Sequence, residues 1–295
     1  MRRLCFFNNN KEFSFSLLKR RVGMALNAHL SHLAIGSPDP LVMATFYEKA
    51  MGNTIEEIDQ GYLSTGPERK LLFTSGKAKE LKYFAMGMTE ENLDLLRDAL
   101  LAKNIQLSAS PSPLFDDKAF ALQDPDGNWL TFGVEEKNNP RVELSARLQH
   151  FAFATNNIEE MVDFYQNTVG YLISDNVFDE DKKLKTAFLR SDNEHHSLAI
   201  FQAKEKWFDH HCYESSNWNA IRDWADHLST FDIPLKWGPG RHGPGNNLFI
   251  FFHDPDGNWL EISAELQILP EDAPVGKWVH EPKTLNYWGQ AFLRS

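Results

Sequence analysis

The chain has 295 residues, 42% of them hydrophobic and 24% charged, and a formal net charge of −11 at neutral pH. That composition can fill two modest cores and excludes a disordered, charge-dominated chain, while the acidic balance excludes a nucleic-acid binder, which needs clustered Lys and Arg. No apolar run approaches the roughly 18 residues that span a bilayer, so a membrane protein is excluded too, and two cysteines, Cys5 and Cys212, give no disulfide framework, as suits a reducing cytoplasm.

Residues 1–23 carry Arg2, Arg3, Lys11, Lys19, Arg20 and Arg21 against one acid, Glu12. They read as a basic extension outside the fold, either a weak targeting peptide or, as we favour, a translated upstream segment ahead of Met24. From there the chain repeats itself. Leu30-Ser31-His32-Leu33-Ala34 is echoed by Leu148-Gln149-His150-Phe151-Ala152, Phe46-Tyr47 by Phe164-Tyr165, and Asp-Pro-Asp-Gly-Asn-Trp-Leu occurs at both 124–130 and 254–260. Two units of roughly 110–120 residues follow, each the size of a small domain: an N-terminal domain over 24–137 and a C-terminal domain over 145–268, with 269–295 as a tail. The His-to-Asp spacing is 92 residues in the first unit (124 − 32) and 104 in the second (254 − 150). The extra residues are expected in part near the histidine-rich stretch 190–211.

In chain order, His32–Ile35 and His150–Phe153 predict short strands, and 40–51 and 158–169 predict helices from their apolar spacing. A second helix is expected over 90–103, capped by Thr89, and over about 216–229, capped by Ser215 or Ser216. The run 248–252, the Asp-Pro-Asp-Gly turn and the run 259–262 predict a β-hairpin, with Gly127 and Gly257 supplying the positive φ of the turn. By itself the heptapeptide is a turn signal.

The residue after the heptapeptide is Thr131 in the first unit and Glu261 in the second, and nine of the eleven histidines fall at or after position 150: His150, His195, His196, His210, His211, His227, His242, His253 and His280. A fold needs no such bias. Several imidazoles and a strand-borne carboxylate in one unit suit a metal site. Two imidazoles and one carboxylate leave open positions for exogenous ligands, as in non-haem Fe(II) oxygenases. Spacing alone does not choose the imidazoles. In the first unit His32 survives but Thr131 replaces the Glu, with Tyr83 as the approximate counterpart of the second histidine, so that unit is expected to be a scaffold and His32 a structural residue.

The segment from Gly238-Pro239-Gly240-Arg241-His242-Gly243 through Phe251, Asp254–Gly257 and Glu261-Ile262, with Asn193–Ala199 and His210-His211, resembles the type I extradiol ring-cleaving dioxygenases of the vicinal oxygen chelate superfamily. The resemblance is specific in the second unit and weak in the first. It implies an α+β fold of tandem βαβββ modules in two repeated domains, with the active site in the C-terminal one. It further implies His150, His211 and Glu261 as metal ligands. His196, fifteen residues before His211 (211 − 196), is implied as the acid–base residue in preference to its neighbour His195, and His242 as a hydrogen-bond donor to bound substrate or oxygen. Phe251 stands where such enzymes usually have tyrosine. Phe188 and Trp237 occupy positions that tend to touch the ring, and with Phe251 they form the implied substrate contacts.

The implied cofactor is Fe(II), with Mn(II) accepted by the same ligands. The implied partners are a small aromatic diol, apolar in its substituents, and O2; a homo-oligomer is an expectation of the same kind. Two alternatives stay open, because fold does not fix reaction: a glyoxalase-like isomerase or lyase using Zn(II), Ni(II) or Mg(II), and a metal-free protein that binds an aromatic compound. An isomerase has no evident use for both His196 and His242, and a binding protein none for His150, His211 and Glu261 together.

Overall fold

The computed structural model describes residues 26–135 and 144–295; the expectations for residues 1–23 fall outside them. The chain builds two sheets in succession. The first is formed by β1 (His29–Ser37), β2 (Thr54–Ile58), β3 (Gly61–Gly66), β4 (Arg69–Ser75), β5 (Glu80–Met88), β6 (Ser108–Ala109), β7 (Phe120–Gln123) and β8 (Trp129–Val134). Their spatial order is β2-β3-β4-β1-β5-β8-β7-β6. The helices α1 (Pro40–Met51) and α2 (Glu90–Ala102) follow β1 and β5. Each half of the sheet is therefore one βαβββ module, its first strand parallel to its last, and the modules meet in the antiparallel pair β1·β5.

The second sheet repeats the plan with β9 (Arg147–Thr155), β10 (Leu172–Phe178), β11 (Leu184–Arg190), β12 (Leu198–Gln202), β13 (Trp207–Ser215), β14 (Trp237–Arg241), β15 (Leu248–His253) and β16 (Trp259–Ala264). Its helices are α3 (Ile158–Asp163), which runs on as a π-helical turn over Phe164–Val169, and α4 (Trp218–Ser229). A ninth strand from the C-terminal segment, β17 (Gly276–Val279), adds in parallel to the edge of β10, and a short α5 (Pro282–Leu285) follows it.

Local chemistry explains the boundaries. Asp39 caps α1 by accepting from the Val42 amide, Pro40 opens the helix, and Gly52 at φ 65° closes it, the left-handed conformation that suits glycine. Thr89 caps α2 as expected, accepting from the Asn92 amide at 3.3 Å. The cap of α4 is Asn217, which accepts from the Asn219 and Ala220 amides at 2.9 and 3.3 Å, and not Ser215 or Ser216. Ser215 is still the last residue of β13, its hydroxyl spent on the Ser145 carbonyl. Most of the extra length of the second unit lies in two turns. Residues 179–183 join β10 to β11, and 191–197 join β11 to β12 where the first sheet needs only Pro67 and Glu68.

Strand alternation divides the side chains into two sets. Leu33, Ile35, Phe84, Met86, Phe151, Phe153, Ile250 and Ile262 belong to one core common to both sheets and their helices, with the Phe84 and Phe151 rings packed in a tilted pair at 4.2 Å between centroids. The alternate residues face inward over each sheet's concave side, where smaller clusters form.

The two heptapeptides are reciprocal fasteners. In each, the first Asp holds its own turn, accepting from the amide and side chain of Asn128 or Asn258, with Gly127 and Gly257 at φ 87° and 79°. Asp124 of the first domain also accepts from Tyr165 of the second at 2.9 Å, and Asp254 of the second accepts from Tyr47 of the first at 3.3 Å. The Phe-Tyr pair and the heptapeptide, repeated motifs far apart in sequence, thus meet across the duplication.

Candidate metal centre and active site

The concave face of the second sheet brings three donors together. His150 stands on β9, His210 on β13 and Glu261 on β16, all buried. Cross-strand register puts them on one face: Cys212 lies opposite both His150 and Glu261, and His210 lies opposite Ala152. His150 Nε2 is 3.2 Å from Glu261 Oε2 and 3.3 Å from His210 Nε2, and His210 Nε2 is 3.6 Å from Glu261 Oε2. Among the described residues this is the group able to hold a metal ion.

The expected second ligand, His211, is not part of it. It pairs opposite Phe151 and so points to the common core, stacked on Phe208 and bonded to the Tyr47 hydroxyl at 3.2 Å. Burial, followed by the neighbouring imidazoles, pushes its pKa down to about 3. Adjacent residues of a strand face opposite ways, so only one of the two could enter the site. Register shifts at Phe208/His210 and Cys212/Tyr213 defeat simple alternation counting along this strand.

The ligand atoms fit a divalent metal. Donors about 2.1 Å from one ion at right angles lie about 3 Å apart, close to the spacing found. Gln149 Oε1 sits 2.6 Å from His150 Nδ1 and Asp209 Oδ1 2.7 Å from His210 Nδ1. Each acceptor takes the Nδ1 proton and leaves Nε2 as a lone pair aimed at the centre. Two lone pairs 3.3 Å apart repel each other unless a cation lies between them. Asp209 is itself gripped by Arg294 through both oxygens, at 2.6 and 2.9 Å. Although burial opposes it, the charge of Arg294 and the bond with His210 hold the Asp209 carboxyl below the usual range. Burial likewise opposes ionisation of Glu261, yet the adjoining His150 and His242 side chains keep its pKa well below its ordinary value. Burial is also the main cause of the lowered pKa of His150 and His196, so both rings are held neutral.

The cavity over these atoms encloses about 420 Å³ including its mouth. His196, at the end of the 191–197 turn, and His242, just after β14, form its polar wall; Phe188, Trp237 and Phe251 are in the wall too, with Ala199, Phe201 and Leu285. His242 gives its Nδ1 proton to the Leu285 carbonyl, and its Nε2 lies 3.5 Å from Glu261 Oε1. Trp237 stacks on Phe251 at 5.0 Å. His195 lies behind His196, outside the wall.

Sequence reasoning missed His210, Asp209, Gln149 and the contribution of the C-terminal segment. That segment supplies Leu285 and Arg294 to the wall and accepts the Trp237 indole proton at the Gln290 carbonyl. The recurrence of a polar residue immediately before each ligand histidine, Gln149-His150 and Asp209-His210, was the available signal.

In the first domain, register equates His32, Tyr83 and Thr131 with His150, His210 and Glu261. His32 is satisfied by Ser31 at 2.8 Å and Ser112 at 2.6 Å, and Thr131 bonds Ser110 at 2.7 Å. No metal set forms there among the described residues.

The family model described as Glyoxalase/Bleomycin resistance protein/Dioxygenase superfamily matches residues 147–262, the stretch that contains all three ligands. The chain is 24% identical over 288 residues to Metapyrocatechase 2 of Cupriavidus necator, covering 88% of each. Among solved structures it resembles homoprotocatechuate 2,3-dioxygenase from Arthrobacter globiformis, with a TM-score of 0.77, 19% identity and coverage of 92% of this chain and 90% of that one. It equally resembles a Mn(II)-bound glyoxalase from Novosphingobium aromaticivorans, with a TM-score of 0.74, 21% identity and coverage of 92% and 93%. The tandem βαβββ modules are those of the vicinal oxygen chelate fold, and the second pair buries a two-histidine, one-carboxylate group able to hold a divalent metal. In sequence the chain is also similar to a manganese-dependent 2,3-dihydroxybiphenyl 1,2-dioxygenase of Geobacillus genomosp. 3, 27% identical over 134 residues that cover 45% of this chain and 40% of that one. Among the described residues no helix is long and apolar enough to cross a membrane.

Proposed function

We propose that the protein cleaves a catechol bearing an apolar substituent, next to its two hydroxyls, with O2 and with Fe(II) or Mn(II) held by His150, His210 and Glu261. The observation that carries this reading is the convergence of those three donors at the floor of a cavity whose wall holds two further histidines, His196 and His242. When bound, the metal supplies open positions at which diol and O2 meet in one geometry, a proximity effect.

The side chains do the rest. His196, neutral because it is buried, takes the second phenolic proton and later returns one to the departing oxygen, a role worth typically about 10²–10⁴-fold. With Nδ1 committed to Leu285, His242 turns Nε2 to the cavity, where hydrogen bonding to bound substrate or oxygen would stabilise oxyanion character. Phe251 leaves that wall without a phenol. A hydrogen bond to a charged group is worth about 1.5–3 kcal/mol, so Phe251→Tyr is expected to raise the rate if the phenol acts in the transition state.

The apolar preference rests on the aromatic wall and on Arg294, whose guanidinium is spent on Asp209 and stacked 4.9 Å from the Phe201 ring. Assembly as a homo-oligomer in the cytoplasm belongs to the same reading. The test is oxygen uptake by anaerobically Fe(II)-reconstituted protein given catechols with alkyl, aryl and carboxylate substituents. Uptake matched one-to-one by a yellow ring-opened product, best with alkyl or aryl groups, is the expected result. Bound iron without uptake overturns it in favour of a non-oxidative metal enzyme, the chemistry that the glyoxalase likeness would then suggest.

A further inference from the structure

We propose that His195 and Asp175 form a hydrogen-bonded chain behind His196 that fixes its tautomer, leaving Nε2 as a bare proton acceptor on the cavity wall. His195 Nδ1 is 3.0 Å from His196 Nδ1, and His195 Nε2 is 3.0 Å from Asp175 Oδ2. The same Asp175 oxygen receives the Trp278 indole proton at 2.7 Å. An indole N–H only donates and a carboxylate only accepts, so Asp175 Oδ2 is an acceptor and His195 Nε2 carries a proton. In the neutral ring His195 Nδ1 is then a lone pair, and the contact with His196 is satisfied only if His196 Nδ1 bears the hydrogen. The remaining nitrogen of His196, Nε2, is left without one.

The surrounding backbone makes room for this chain. Asp175 on β10 is in register with Gly276 on β17, and a Cβ at Gly276 would fall 1.9 Å from Asp175 Oδ1. Gly245, at φ 75°, leaves space where a Cβ would sit 3.1 Å from His195 Nδ1. The backbone amide of His195 is held in turn by the Gln267 carbonyl at 2.8 Å. The C-terminal segment thus supplies Trp278 and Gly276 to a device whose working end is His196.

This inference rests on the dioxygenase reading for its use. As a substrate O–H bond breaks, an N–H bond forms at His196 Nε2, and the positive charge on the ring is shared through Nδ1–H with His195 and, behind it, Asp175. The proton leaves by the same nitrogen, no electrons change hands, and His195 never touches substrate. His195 is a positioning residue, in the way that a buried acid orients the histidine of a hydrolytic triad.

The test is the protonation pattern of the imidazoles in Zn(II)-loaded, 15N-histidine-labelled protein, read from long-range proton–nitrogen correlations, alongside ring-cleavage kinetics of the Fe(II) form. We compare wild type with His195→Asn, whose carbonyl can stand in for the Nδ1 acceptor, and His195→Phe, which offers none. Expected is an Nδ1–H His196 in wild type and His195→Asn, and an Nε2–H ring in His195→Phe. With it, kcat should fall by about 10²–10⁴-fold in His195→Phe at unchanged KM and stay within about tenfold in His195→Asn. A wild-type His196 protonated on Nε2, or a His195→Phe protein with unchanged tautomer and kcat, overturns the proposal. If the Phe variant does not fold, the wild-type tautomer decides by itself. Failure of wild type to cleave any diol would overturn the dioxygenase reading instead, since the tautomer measurement needs no turnover.

Discussion

The two domains carry the same three strand positions and do opposite things with them. In the second, His150, His210 and Glu261 converge under an open cavity. In the first, His32, Tyr83 and Thr131 occupy the matching registers, and the segment after β6 fills the space. Phe115 packs against His32 with ring centroids 5.0 Å apart, and Ser110 and Ser112 satisfy Thr131 and His32. Burial drives the pKa of His32 down to about 3, leaving a neutral, fully hydrogen-bonded ring. The difference teaches that the fold provides an address, while chemistry requires both the donor set and an emptied volume above it.

The sharpest way to break this comparison is to exchange the adjacent histidines of β13. His210→Ala should lose the metal and drop ring cleavage to background, whereas His211→Leu should keep both and lose about 1–3 kcal/mol of stability for the buried partners it strands. Metal content, oxygen uptake and thermal melting together read the contrast, and the reverse pattern would mean that the ligand face is misassigned. Next in size is an attempt to restore the first domain's donor set with Tyr83→His and Thr131→Glu. The new carboxylate would be buried beside Ser110 and the Phe120 carbonyl, so we expect about 3–5 kcal/mol of destabilisation and still one metal per chain. A second equivalent of metal would show that the donor set alone suffices.

A third comparison concerns pH. Glu214 of β13 corresponds in register to Gly87 of β5, so only the second domain buries an acid there, and burial pushes its pKa from 4.5 up to about 7. Between these values the folded state binds more protons than the unfolded state. The contribution of Glu214 is therefore fully present below pH 4.5 and is lost as pH rises to 7, by about 3 kcal/mol. Glu214→Gln should flatten the denaturation profile across that window; an unchanged slope would discard the assignment. The smallest effects belong to the reciprocal tyrosines: Tyr165→Phe and Tyr47→Phe should each cost about 1 kcal/mol in urea melts. A double variant whose losses simply add would show that the two contacts act independently.

Much of this was legible before the structure. The repeat gave the two sheets, and α1, α2 and the β15–β16 hairpin lie where apolar periodicity and turn chemistry put them. His150, Glu261, His196, His242, Phe188, Trp237 and Phe251 are all in the cavity that the family resemblance implied. The choice of His211 over His210 failed because it followed position along the chain, whereas the facing of a side chain is set by cross-strand pairing and by the bulges of β13. The cap of α4 was displaced by two positions or one because Ser215 remains in the strand. Arg294 and the Trp278 contact to Asp175 were invisible because they are tertiary contacts made by the C-terminal segment, which has no counterpart in the repeat.

The crossed Tyr47–Asp254 and Tyr165–Asp124 contacts bear on why a half without chemistry persists. Each turn that follows a hairpin's inner strand is fastened by a phenol from the opposite half, so each half supplies one of the partners of the other's buried aspartate. The absence of a metal set from the first half among the described residues costs nothing to this arrangement; removing the half itself would take the Tyr47 hydroxyl from Asp254, a few residues before Glu261, with burial already holding its pKa up at about 6. A duplication bound in this way can leave one copy without chemistry while that copy still holds the other's turn in place.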